Sequence, residues 1–134
     1  HKYALCDLKT GDTVIKYGNP THFCLSVAEK LKKEHNWDVE VIDIRSLIPL
    51  DTETIFASVK KTGKVLIVHE DKVFSGFGAE IAGIVGTEMF RYLDAPIQRV
   101  GSTFTPVGFH PVLEKAILPG EERIYNAAKA LLEY

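Results

Sequence analysis

Between Thr21 and His35 the apolar residues Phe23, Val27 and Leu31 recur every four positions, with Cys24 and Ala28 beside them. Glu29, Lys30, Lys32, Lys33 and Glu34 occupy the other faces, so this spacing predicts an amphipathic helix. The next apolar segment has a different period. Val39, Val41, Ile42 and Ile44 are β-branched and too densely apolar for simple alternation, as expected of a strand covered on both faces. Upstream, residues 13–17 predict a strand ended by Gly18-Asn19-Pro20, and residues 4–8 predict a weaker one before a Lys9-Thr10-Gly11-Asp12 turn.

Helix and strand signals continue to alternate. After Pro49, Asp51 is suited to N-cap a helix, Glu53 falls in its first turn where the helix dipole favours a carboxylate, and Ile55, Phe56 and Val59 face inward up to Gly63. Val65-Leu66-Ile67-Val68 is an unbroken apolar run suited to a central parallel strand, and polar His69-Glu70-Asp71 follow at its carboxyl end. A helix over residues 78–92 turns Ile81, Ile84, Val85 and Met89 inward, with Gly83 and Gly86 expected to permit close packing. Residues 97–100 form a last short strand, followed by a Pro/Gly-rich connection, a short helix at 112–117 and a terminal helix from Glu121. Strands joined by right-handed helical crossovers give an α/β fold, a three-layer α/β/α sandwich. Residues 1–134 are expected to form a single domain, with 1–12 a lead-in that carries an edge strand. In such sheets ligands meet the carboxyl ends of strands, here Gly18-Asn19, Arg45, His69-Glu70 and Gly101-Ser102.

Composition narrows the function classes. The 134 residues are 46% hydrophobic and 25% charged with a net charge of −2, an ordinary globular balance with no broad basic surface for nucleic acid. No apolar run approaches the roughly 18 residues of a membrane span, and the first residues lack the basic-then-apolar order of a signal peptide. The chain is expected to be soluble and cytosolic. Cys6 and Cys24 match no metal or redox spacing and are expected to be reduced thiols.

Candidate chemistry is sparse. Ser75-Gly76-Phe77-Gly78 opens a helix after a strand, where free N–H groups and the dipole favour an anion. The third glycine of a dinucleotide fingerprint would fall at Ile81, however, and a turn into a closely packed helix is the favoured reading. His69 and Glu70 stand at the rim of a candidate cleft, but neighbours on a strand point to opposite faces and would not share one metal ion. His110 lies in the proline-rich loop and is read as a solvent-facing residue. No serine sits in an activated-nucleophile context. On these residues alone, a flavodoxin-like module that binds an anion or small ligand remains open.

The segments VEVIDIRSLIPLDTETIFASVKKTGKVLIVHE, GFGAEIAG, FRYLDAPIQRVGS and TPVGFHPVLEKAILPG, followed by an amphipathic terminal helix, resemble a known family. It is the C-terminal domain of the β subunit of the decarboxylating component of 2-oxoacid dehydrogenase complexes, those for pyruvate and branched-chain substrates. The resemblance covers nearly the whole chain from Gly11. It implies a transketolase C-terminal type of domain, with a five-stranded, mostly parallel sheet whose first strand, at residues 4–8, is antiparallel to the rest. The equivalent domain of a transketolase or a deoxyxylulose-phosphate synthase shares that fold and is the nearest alternative.

The resemblance implies no catalytic, cofactor-binding or metal residue in this chain. In the complete enzyme thiamine diphosphate and magnesium lie between the α subunit and the β subunit's N-terminal domain. The implied partners are that α subunit, a second β subunit and the subunit-binding domain of the dihydrolipoyl acyltransferase, and an exposed family interface is expected to pair two copies. The acyltransferase contact resembles a charge clamp that uses an aspartate in the Leu-Asp-Ala-Pro turn and the terminal carboxylate, which correspond to Asp94 and Tyr134. Residues 105–108 read Thr-Pro-Val-Gly where relatives often have Thr-Pro-Val-Pro, and His110 replaces a small residue. The implied compartment is the bacterial cytoplasm or the mitochondrial matrix.

Overall fold

The structure, a computed structural model, describes residues 12–106 and 110–134, with the backbone alone for Asp12. The strand expected at residues 4–8 therefore lies outside the described residues. Four parallel strands form one sheet: β1 (Asp12–Tyr17), β2 (Val39–Asp43), β3 (Val65–Lys72) and β4 (Gln98–Ser102), in the order β2-β1-β3-β4. Helices α1 (Thr21–His35) and α2 (Thr52–Thr62) make the first two crossovers, and α3 (Phe77–Glu88) makes the third. The chain ends with α4 (Pro111–Ile117) and α5 (Glu121–Leu132).

The sheet is buried on both faces, and alternation along each strand divides its side chains between two cores. Val14, Val41, Leu66 and Val68 join Val27 and Leu31 of α1 and Ile124, Ala128 and Leu131 of α5. Ile15, Ile42, Val65 and Ile67 join Ile55 and Val59 of α2 and Ile81 and Val85 of α3. This is why strands 2 and 3 read as nearly continuous apolar runs.

Polar residues in these layers, His69 apart, are paired. Lys16, 2% exposed, meets its register partner Asp43 at 2.5 Å. Glu40, fully buried on the opposite face, meets Lys61 of α2 at 2.6 Å. Beside it, the Thr13 hydroxyl lies 2.7 Å from that of Ser58 and 2.6 Å from that of Thr62.

The helix ends follow local chemistry. The Asp51 carboxylate accepts from the Thr54 N–H at 3.0 Å and caps α2, while Gly63 closes it in a left-handed conformation. His110 extends beyond a plain loop role, since its Nδ1 accepts from the Val112 N–H and caps α4.

Two expectations change, and one strand proves longer than its apolar run. The helix placed at 78–92 stops at Glu88, and Phe90–Tyr92 forms a separate 3-10 turn, because the chain must reverse before β4. β3 runs past the apolar Val65-Leu66-Ile67-Val68 segment through His69, Glu70 and Asp71, the polar residues read at its carboxyl end, as far as Lys72. Gly83 and Gly86 do not mediate close packing: a Cβ on Gly83 would meet nothing within 4 Å, and one on Gly86 only Ile97 at 3.9 Å.

Ile67 is fully buried on an interior strand. Ile67→Ala is expected to lower the free energy of unfolding by about 2–5 kcal/mol in urea denaturation, through lost burial and the cavity left behind.

Candidate functional site

The sheet presents two ends of different character. At the carboxyl end, β1 feeds α1 on one face while its neighbour β3 feeds α3 on the other, so the crevice between them is the topological switch point where ligands bind in doubly wound sheets. Here the chain fills that crevice with its own groups. Glu70 is exposed, and its carboxylate accepts from the Asn19 N–H at the start of α1. That helix has no acidic residue in its first turn and no side-chain cap, so Glu70 supplies the negative charge its dipole favours. Its backbone carbonyl accepts from the Ser102 hydroxyl of β4.

His69 does not stand at a rim. It is 0% exposed, and its ring stacks on that of its β1 register partner Tyr17 at 5.1 Å between centroids and 6° between planes. Three glycines make this possible. A Cβ on Gly78 would lie 2.4 Å from His69 Nε2, one on Gly101 2.7 Å from Cε1, and one on Gly76 3.3 Å from the same atom. The register between β3 and β4 breaks here, with β3 advancing from Val68 to Lys72 while β4 advances from Val100 to Ser102. That irregularity tucks the imidazole under the sheet end.

Neither ring nitrogen has a hydrogen-bond partner among the described residues. Burial, the largest influence, holds the His69 pKa below its ordinary 6.5, and Arg99 acts in the same direction. The Asp71 backbone and carboxylate oppose it without reaching hydrogen-bond geometry. The Gly76-Phe77-Gly78 segment is thus a cradle for an imidazole. Its Gly78 N–H, the donor an anion would need, is already given to the Tyr17 hydroxyl at 3.0 Å.

The amino end of the sheet is open. A groove of about 660 Å³ is lined by Phe90, Asp94, Pro96, Ile97 and Tyr134, with Ala82 and Gly83 of α3. Asp94 and Tyr134, distant in sequence, share this groove. Residues 63 and 64 bring them together. The Gly63 carbonyl accepts from the Asp94 N–H at 2.8 Å, and a Cβ on Gly63, whose φ is +70°, would lie 2.2 Å from Asp94 Oδ2. Lys64 Nζ donates to the Leu132 carbonyl at 2.9 Å, which ties the end of α5 beside the same junction.

The Asp94 carboxylate is exposed and sits at the C-terminal end of α2, where the dipole disfavours an anion; it makes no ion pair with any described residue. Phe90 is 77% exposed and Tyr134 74% exposed, so apolar rings flank an unneutralised carboxylate. Sequence reasoning missed Gly63 and Lys64 as positioning residues. The helix-stop glycine was visible, but its contact with Asp94 depends on packing.

Comparison with known proteins matches residues 8–124 to the family model described as transketolase, C-terminal domain. The β subunit of a 3-methyl-2-oxobutanoate dehydrogenase of Mycobacterium tuberculosis is 41% identical over 124 residues, covering 92% of this chain and 35% of that one. The β subunit of a pyruvate dehydrogenase E1 component of Rickettsia felis is 43% identical over 122 residues, covering 91% of this chain and 37% of the relative. The chain spans about a third of the length of these relatives. Among solved structures, a split-gene transketolase, an inactive β4 tetramer, superposes with a TM-score of 0.78 at 25% identity, covering 99% of this chain and 41% of that one.

The contrast between the glycines of α3 is testable by thermal and urea denaturation. Gly78→Ala forces a methyl group into His69 and is expected to destabilise the fold by about 1–3 kcal/mol. Gly83→Ala enters open space in a helix and is expected to stabilise it by up to about 1 kcal/mol; a shared sign for the two variants would contradict the cradle.

Proposed function

Because the chain belongs to the transketolase C-terminal domain family, we propose that it serves as the assembly domain of the β subunit of a thiamine-diphosphate-dependent 2-oxoacid dehydrogenase. Such an enzyme oxidatively decarboxylates pyruvate or a branched-chain 2-oxoacid and passes the acyl group to a lipoyl group. The observation that carries this reading is the amino-end groove. Its lining includes both Asp94 and Tyr134, and exposed Phe90 and Tyr134 rings flank a carboxylate that makes no ion pair with any described residue. A basic segment of the acyltransferase's subunit-binding domain would make charge-assisted hydrogen bonds to Asp94 and to the carboxylate at the Tyr134 end of α5, while the rings exclude water around them.

The described residues do not suit the cofactor. The one crevice that the topology offers to a diphosphate is occupied by the Glu70 carboxylate, which would repel it, and the neighbouring Gly78 N–H is engaged by Tyr17. No group of three or more metal-ligating side chains converges among the described residues. On the family reading, thiamine diphosphate and magnesium lie in other parts of the enzyme, with the α subunit and a second β subunit as the assembly partners. On this reading the domain packs subunits and docks the acyltransferase without touching substrate. Its compartment is the cytoplasm of a bacterium or the mitochondrial matrix, in keeping with described helices too short and polar to cross a membrane.

The groove reading predicts that Asp94→Ala weakens binding of the acyltransferase's subunit-binding domain roughly tenfold or more in isothermal titration calorimetry, the loss of a charged hydrogen-bond acceptor. Affinity equal to that of the unaltered chain would remove Asp94 from the interface.

A further inference from the structure

The enclosure of His69 has a use that subunit assembly does not call on. We infer that His69 is an acid-operated latch on the turn between β3 and α3: on gaining a proton the imidazole leaves its glycine cradle, and residues 73–78 come away from the sheet end.

The geometry sets up both halves of this device. The ring is wholly buried between Tyr17, Gly76, Gly78 and Gly101, and neither nitrogen has a described partner that would share a positive charge. A buried cation without an acceptor is strongly unfavourable, whereas the neutral ring packs like any aromatic. The surrounding groups give no easy rescue. On β3, the Asp71 backbone and, less strongly, its carboxylate favour the charged form, but neither reaches hydrogen-bond geometry with the buried ring and Oδ1 accepts from the Lys72 N–H. On β4, Arg99 opposes a second positive charge. From β1, Tyr17 offers the face of its ring, and from α3 the contacts are Gly76 and Gly78.

The turn itself is lightly held. Val73 is tethered to β4 through its N–H to the Ser102 carbonyl at 3.2 Å and through Arg99 Nη1 to its own carbonyl at 3.0 Å. Beyond it, Phe74 is 66% exposed and Ser75 has a left-handed φ of 60°, which a side chain disfavours. The Phe74 ring meets Phe104 at 5.0 Å between centroids and Phe77 packs edge-on against Tyr17 and into the α2–α3 core, while the packing of the glycines on His69 and the Tyr17 contact to Gly78 hold the turn's backbone between them.

The sign follows from linkage. The buried ring binds a proton less readily than a released one, so closure is undisturbed above pH 6.5 and is lost as pH falls from 6.5 towards the lower pKa of the closed state. Nuclear magnetic resonance on the whole 134-residue chain tests this, following the His69 imidazole nitrogens together with amide exchange corrected for its intrinsic pH dependence. The expected result is a His69 pKa below 6.5 and protection at residues 75–78 and Gly101 that falls about tenfold per pH unit in that window. In His69→Phe, which keeps a ring and removes the titration, the same protection should not change with pH. The latch is overturned if His69 titrates at or above 6.5, if it titrates while the turn amides keep their protection, or if His69→Phe shows the same loss. Should that variant fail to fold, the titration of the unaltered chain decides by itself.

Discussion

Four parallel strands covered on both faces impose the constraint from which the rest follows. Every strand side chain must enter one of two cores, so Val14 and Ile15 on one strand and Leu66 and Ile67 on another belong to different layers. A polar group in these layers needs a partner within reach, and the ion pairs of Lys16 and Glu40 and the hydroxyl cluster at Thr13 supply it. His69 is the exception, accommodated by shape rather than by hydrogen bonds. With both faces covered by helices, surfaces free to meet other molecules are confined largely to the sheet's ends and rim.

The two ends have been used differently. At the switch point, Glu70 lies where a bound anion would sit in a nucleotide-binding relative of this architecture, and His69 fills the space beneath it. The opposite end is left as an apolar groove with a carboxylate at an electrostatically unfavourable helix terminus. A domain that closes its ligand crevice and exposes the far end is better suited to being built upon than to holding a small molecule.

Local signals in the sequence carried most of the architecture. The four-residue recurrence of Phe23, Val27 and Leu31, the Asp51 cap and the Gly63 stop needed only neighbours in the chain, and each corresponds to an observed element. The environment of His69 was not legible because it depends on Tyr17 and Gly101, which come from two other strands. The same limit misassigned the glycines of α3, since only Gly78 faces a crowded neighbour. Asp94 and Tyr134 entered through family resemblance; no spacing reveals that the junction at Gly63 and Lys64 draws them to one groove.

The ion pair between Lys16 and Asp43 has a bearing on how the edge strand finds its place. β2 is short and has only β1 as a described sheet neighbour, so backbone hydrogen bonds alone would tolerate a shift along it. A shift by one residue would turn Asp43 towards the opposite core and leave the Lys16 ammonium facing α1 without its carboxylate. Glu40 would swing away from Lys61 in the same movement. The two pairs, one on each face and each with a buried member on the sheet, thus penalise misalignment from both sides, and a pair of modest net stability acts as a strong discriminator between the native strand register and its nearest competitors.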